Sequence, residues 1–346
     1  MTGRRRRPAL LRRSIAAHNT VMPTGFFTHD LCGVYDQGRG NPETAARVEA
    51  IEDQMIASGL SRCVVPLPSS EATLEDVLRA HAAGYIASLK AASARLAAAA
   101  GGAVSARRAA QGAEVISEDT QVNALSFDAA MKSAGAAIEA VRQVCAGTLR
   151  NAFACIRPPG HHAGRDFGHG FCLINSVACA ALYALDVIGL KRVAILDIDV
   201  HRADGTEDIV KGDPRIRLFS LYQEGAFPYG LPQASADNII NTPLAEGAEG
   251  GEVLARISRE WLPRLLDFRP ELILMSAGFD AHRDEKQALI KLTEFDYSYL
   301  TCEIMRVARA VCGGRIVSIL EGGYNVRSLA RSAVAHITTL ARAARD

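Results

Sequence analysis

Short, continuously apolar runs alternate with helical periodicities along most of this 346-residue chain. AFACI (152–156), RVAILDIDV (192–200), RIRLFSLY (215–222), ELILMSAGFD (271–280) and RIVSILEGGY (315–324) read as buried strands. SVACAALYALDVIG (176–189), GGEVLARISREWLPRLLDF (250–268) and LTEFDYSYLTCEIMRVARAVCGG (292–314) carry apolar positions at helical spacing. Glycine stops the first and last of these, and Pro263 is placed to kink the second. Strands alternating with helices predict an α/β fold, a parallel sheet with helices on both faces. Ligands bind such sheets beyond the carboxyl ends of the strands.

That rule makes a test, because unusual polar groups should then gather just after the strands. They do. RPPGHH follows one strand, DIDVHRADG ends another, GFDAH a third and EGGY a fourth. Four strand ends from distant parts of the chain are expected on one face.

Composition narrows the picture. Apolar residues make up 49% and charged residues 22%, which is globular, and the net charge of +1 gives no global case for nucleic acid or an anionic membrane. The eight cysteines are scattered without a C-x-x-C pair, which argues against a zinc knuckle, a thioredoxin-type site and a disulfide framework. Free thiols fit a reducing compartment, and a cytoplasmic location is expected. No segment reads as a membrane span. Residues 1–22 are strongly basic and read as a disordered tail, leaving 23–346 as one domain. MSAGF is not the G-x-S-x-G elbow, and no P-loop or dinucleotide fingerprint follows a strand.

Asp197, Asp199 and His201 alternate at the end of one run, so a continuing strand would put them on one face. Carboxylates buried together repel, and a divalent cation removes that cost. Asp and His ligands without cysteine fit zinc, iron or another divalent metal, and Asp280 supplies a third ligand that leaves room for water and substrate. His161 and His162 suit proton transfer beside such a site, with Asp197 and Asp204 as spare acids to fix their tautomers. Tyr324, after two glycines, could donate to a developing oxyanion.

RPPGHHAG, GFCLINSVACAA, LDIDVH with DGTED, SAGFDAH and LEGGY, in this order, resemble the histone deacetylase family, closest its class II and bacterial acetylpolyamine amidohydrolase-like members. The resemblance covers roughly residues 25 to 342. It implies a single arginase/deacetylase-like domain and a zinc-dependent amidohydrolase that releases acetyl groups from acetylated protein lysine or acetylated small amines. It implies Asp199, His201 and Asp280 as zinc ligands. His162 would be the general base, oriented by Asp204, and His161 its electrostatic partner, paired with Asp197. Tyr324 would hold the substrate carbonyl oxygen. Gly170, Phe171 and Phe227 would form a narrow tunnel, and Asp119 would be the rim acid that grips substrate backbone. A structural K+ would take Asp197, Asp199 and His201, with backbone near Ser220 and Leu221. Self-association is left open.

The sequence departs from that pattern in places. The family's D-V-H-H-G-[ND]-G reads DVHRADG here, with Arg202 and Ala203. A guanidinium turned inward would repel zinc, and Ala203 would be strained if that backbone needs φ > 0. G-H-P-E reads GNPE, with Asn41, and D-P-L reads EKQ, which puts Gln287 at the tunnel rim with Glu285 nearby. A polar or acidic rim would favour a cationic substrate. Two other readings compete: a two-metal ureohydrolase, which would want a carboxylate where His282 stands, and a catalytically impaired binding protein, supported by Arg202 and Ala203.

Overall fold

The computed structural model describes residues 22–38, 40–100, 112–231 and 233–343. The basic segment expected to be a tail lies outside them, apart from Met22. Ten strands are described: β1 (Thr24–Thr28), β2 (Val64–Pro68), β3 (Glu114–Val115), β4 (Gln121–Val122), β5 (Asn151–Ala154), β6 (Val193–Asp197), β7 (Ile216–Gln223), β8 (Ile239–Leu244), β9 (Leu272–Ala277) and β10 (Ile316–Leu320). β3 and β4 form a small antiparallel pair, and the other eight form one sheet in the order β2-β1-β5-β10-β9-β6-β7-β8. Every pair in that sheet is parallel. The expected α/β fold is what forms.

Successive side chains of a strand point to opposite faces, so each central strand feeds two cores. Phe26, Phe153, Ala194 and Leu196 pack on one side, against the helices Ala46–Ala57, Glu294–Cys312 and Val326–Ala343. Phe27, Ala152, Ala154, Val193 and Ile195 pack on the other, against the helices Ser126–Cys145 and Ser176–Asp186. Burial on both faces explains why these strands read as continuous apolar runs rather than as alternation.

The single helix expected over 250–268 is two, Gly250–Glu260 and Leu262–Phe268, with Pro263 in the first turn of the second. A proline there loses no hydrogen bond, so the chain breaks at Trp261, two residues before the expected kink. No helix among the described residues is long and apolar enough to cross a membrane. Each of the eight cysteines is a free thiol.

Candidate functional site

The four strands whose ends carry the unusual groups, β5, β10, β9 and β6, are neighbours at the centre of the sheet. Their carboxyl ends therefore meet. β6 stops at Asp197, so Asp199 and His201 are not set by strand alternation as expected. A staircase of local hydrogen bonds sets them instead. Asp197 Oδ1 accepts the Asp199 N–H at 3.0 Å, and Asp199 Oδ1 accepts the His201 N–H at 2.9 Å.

Asp199, His201 and Asp280 are buried, and one ligand atom from each lies within 4.8 Å of the others. His201 Nδ1 faces two carboxylates, Asp199 Oδ1 at 3.0 Å and Asp280 Oδ2 at 3.2 Å. Asp280 Oδ1 accepts the Val200 N–H at 2.9 Å, but Oδ2 has only the ion-pair contact with His201 and makes no hydrogen bond. Burial and the nearby Asp199 charge raise the Asp280 carboxyl above its usual value. Burial opposes a charged His201, yet Asp280 and Asp199 carry it to about 10. Two buried carboxylates around one imidazole, with one oxygen orphaned, is the donor set a divalent cation completes. The residues fit the group the sequence implies. Glycines make the room: a Cβ on Gly322 would lie 2.1 Å from Asp280 Oδ2, and one on Gly278 would lie 2.1 Å from Asp199 Oδ2.

Each expected histidine–aspartate pair is present. His161 Nδ1 lies 3.1 Å from Asp197 Oδ2, and His162 Nδ1 lies 2.6 Å from Asp204 Oδ1. The two rings, 4.0 Å apart, differ in charge preference. Burial opposes charge on His161, but the Asp199 and Asp197 carboxylates outweigh it and raise its pKa well above the ordinary value. Burial and the charge of His161 push His162 down to about 3, against the pull of Asp204. Burial also holds the Tyr324 phenol well above its usual range, so its proton stays on.

Asp119, His162, Gly170, Phe171, His201, Phe227, Tyr229, Gln287 and Tyr324 line one pocket of about 270 Å³. The expected wall and rim residues thus surround the same space as the histidines and Tyr324. Phe171 sits at φ 66°, in the left-handed region. Its N–H donates to Thr120 Oγ1, its carbonyl accepts from Gln37, and Asp119 accepts the Gly170 N–H at 2.9 Å. The Asp119 carboxylate therefore braces the pocket wall. A larger open cleft of about 710 Å³, beyond β1 and β2, touches none of the four central strand ends.

Neither departure in DVHRADG disturbs the cluster. Arg202 points away, donating to the Leu231 carbonyl at 2.9 Å with its Nε 3.6 Å from Glu207. Ala203 has φ −75°, which any residue adopts. Glu285 is not at the rim: its carboxylate turns inward to accept the N–H groups of Tyr324 and Asn325 at 2.7 and 2.9 Å. Gln287 is exposed at the mouth, as expected. His282 is buried with Nδ1 accepting the Asp284 N–H, directed away from the carboxylate cluster.

Three features were not read from the sequence. Glu321 is buried under the double histidine and accepts the N–H groups of Gly160 and His161 at 2.7 and 3.1 Å; burial lifts it to about 7. Arg47 donates to the carbonyls of Gly323 and Glu321 and lies 4.9 Å over the Tyr324 ring. His169 lies 2.6 Å from the second oxygen of Asp204. Only His169 left a signal, an unassigned imidazole two residues before Phe171.

A family profile described as histone deacetylase domain matches residues 41–340. The chain is 33% identical over 313 residues to a probable deacetylase of Archaeoglobus fulgidus, covering 88% of this chain and 82% of that one. It is 32% identical over 324 residues to mouse "Polyamine deacetylase HDAC10", covering 89% of this chain and 46% of the mouse protein. Several matched relatives are much longer, and the chain spans 14% to 46% of their lengths. The solved HDA15 HD domain superposes with a TM-score of 0.82 at 28% identity, covering 93% of this chain and 89% of that one.

Proposed function

This chain belongs to the histone deacetylase family, and from that premise we propose that it is a zinc-dependent deacetylase of acetyl-lysine side chains or related acetylated amines. The observation that carries the reading is the buried Asp199–His201–Asp280 cluster, with a carboxylate oxygen that makes no hydrogen bond, whose His201 lines a pocket that also holds His162 and Tyr324. Zinc, or iron in its place, held by those three residues would supply Lewis acidity to an amide carbonyl and acidify water, to about pKa 7 in other zinc enzymes.

The chain's own groups do the rest. The Asp204 carboxylate takes the Nδ1–H of His162 and so leaves Nε2 free to accept the proton of the attacking water. The depressed pKa of His162 keeps that nitrogen unprotonated at neutral pH. His161, charged and paired with Asp197, offsets negative charge beside it. Tyr324 keeps its proton and donates it as a hydrogen bond to the carbonyl oxygen as charge builds there. His162 then returns a proton to the leaving amine. Phe171 and Phe227 exclude water along the acyl-bearing arm. A structural potassium ion would lie beneath, at Asp197, Asp199 and His201, where Asp197 pairs with Ser220 of β7.

Gln287 at the mouth favours a second reading, a preference for acetylated amines whose other ammonium would meet a polar rim. The relative named as a polyamine deacetylase is consistent with it. The deciding experiment compares acetate release from an acetyl-lysine peptide and an acetylated polyamine, each with and without a chelator. Chelator-sensitive turnover is expected, and its absence in zinc-loaded protein would remove the reading. Exchanging Gln287→Leu should move preference toward the peptide; an unchanged ratio would remove the rim's role.

A further inference from the structure

Asp204 has two carboxylate oxygens and two histidines. His162 Nδ1 lies 2.6 Å from Oδ1, and His169 Nε2 lies 2.6 Å from Oδ2. Burial opposes the charge on Asp204, but His162 and then His169 hold its carboxyl well below the usual range. An ionised carboxylate only accepts, so both facing ring nitrogens carry their protons. No other hydrogen bond to this carboxylate is found among the described residues. The χ2 torsion of aspartate is broad and soft, so one bond alone would leave the group free to swing.

We propose that His169 is a positioning residue for His162, fixing the Asp204 carboxylate from behind so that Oδ1 stays aimed at His162 Nδ1. The inference rests on the reading of His162 as general base. His169 itself is fixed by rings. Its centroid lies 5.3 Å from that of Phe167 and 5.1 Å from that of Phe227. Its other side faces a cleft of about 500 Å³ lined by Ser117, Glu118 and Tyr229, and its side chain is 18% exposed. It does not fill the core, so a ring without the donor should be tolerated. Orienting partners of this kind typically matter by about 10- to 100-fold in activity.

Two variants separate the hydrogen bond from the packing. His169→Phe keeps a ring between Phe167 and Phe227 but has no donor, while His169→Gln offers an amide N–H at about the position of Nε2. Zinc-loaded His169→Phe should lose about 10-fold in kcat with KM unchanged. His169→Gln should recover most of that loss. In 15N-histidine spectra the His162 Nδ1–H signal, identified by its absence in His162→Ala, should persist in wild type and His169→Gln and exchange away in His169→Phe. Equal kcat in His169→Phe and wild type, or equal losses in both variants with raised KM, would overturn the proposal. So would an unchanged Nδ1–H signal in His169→Phe, a test that needs no turnover. If His162→Ala keeps its activity, the general-base reading falls and this one with it; if His162→Ala is inactive and His169→Phe is not, only this one falls.

Discussion

Two buried charge clusters lie at the same end of the sheet, and they are built on opposite principles. In one, Glu43 sits between Arg157 and Arg47, all three fully buried. Arg157 holds both Glu43 oxygens and donates to the carbonyls of Cys32, Tyr35 and Glu43; Arg47 holds Glu43 and donates to the carbonyls of Gly323 and Glu321. None of their side-chain atoms is without a partner. In the other, Asp199 and Asp280 crowd one imidazole, and Asp280 Oδ2 is orphaned. A buried cluster that satisfies itself is scaffold. One that fails to do so is a site, because only something from outside completes it.

The contrast can be broken most forcefully from the scaffold side. Glu43→Ala strands two buried guanidinium groups and should cost about 3–5 kcal/mol in urea denaturation. Asp280→Asn relieves repulsion and keeps an acceptor for Val200, so with both proteins metal-free its stability should match or exceed wild type, while bound zinc, by elemental analysis, disappears from the variant. Equal stability losses in the two would erase the distinction. Next in size, Tyr324→Phe should lower kcat by about 100- to 1000-fold without unfolding the chain. Zinc at 100 times its Kd should then stabilise the wild type by about 2.7 kcal/mol, an effect absent from Asp280→Asn.

The smallest effect over the usual pH range comes from a third arrangement, neutral buried histidines with both nitrogens bonded. His81 donates to the Gly164 carbonyl and accepts the Asn175 N–H, and His336 bonds Thr301 and Ser318. Burial lowers His81 to about 4 and His336 to about 3. The unfolded chain binds their protons first, below about pH 6.5, so their stabilisation is complete above that value. It should be lost as pH falls toward 4. Denaturation midpoints at pH 7.5 and 5.5 would show the decline, and replacing His336 with Gln should flatten it.

The central strands were legible because parallel sheets bury both faces and leave unbroken apolar runs. The four polar strand ends were legible because charge directly after a buried apolar run breaks the pattern of the strand before it. β2 and β8 escaped because they are only partly buried and are interrupted by Pro66 and Pro243, and β1, TGFFT, because it offers only two large apolar side chains. The Asp197–Asp199–His201 spacing was read correctly for the wrong reason, since the staircase of backbone bonds begins where the strand ends. The inward turn of Glu285 was not legible, because nearness to the rim in sequence says nothing about which way a carboxylate turns. Arg47 and Arg157 were invisible as partners: 110 positions separate them, and only the closed sheet brings Glu43 between them.

Phe171 carries a final lesson about what a binding wall costs. Glycine would take φ 66° freely, but glycine has no ring to line the pocket. The chain accepts about 1–3 kcal/mol of backbone strain to keep the phenyl group there. The Phe171 N–H donates to Thr120, the Gly170 N–H donates to Asp119, and Gln37 donates to the Phe171 carbonyl, which together hold the segment in place. Phe171→Gly should therefore release tension and lose selectivity together, making this loop a point where thermal robustness and discrimination trade against each other.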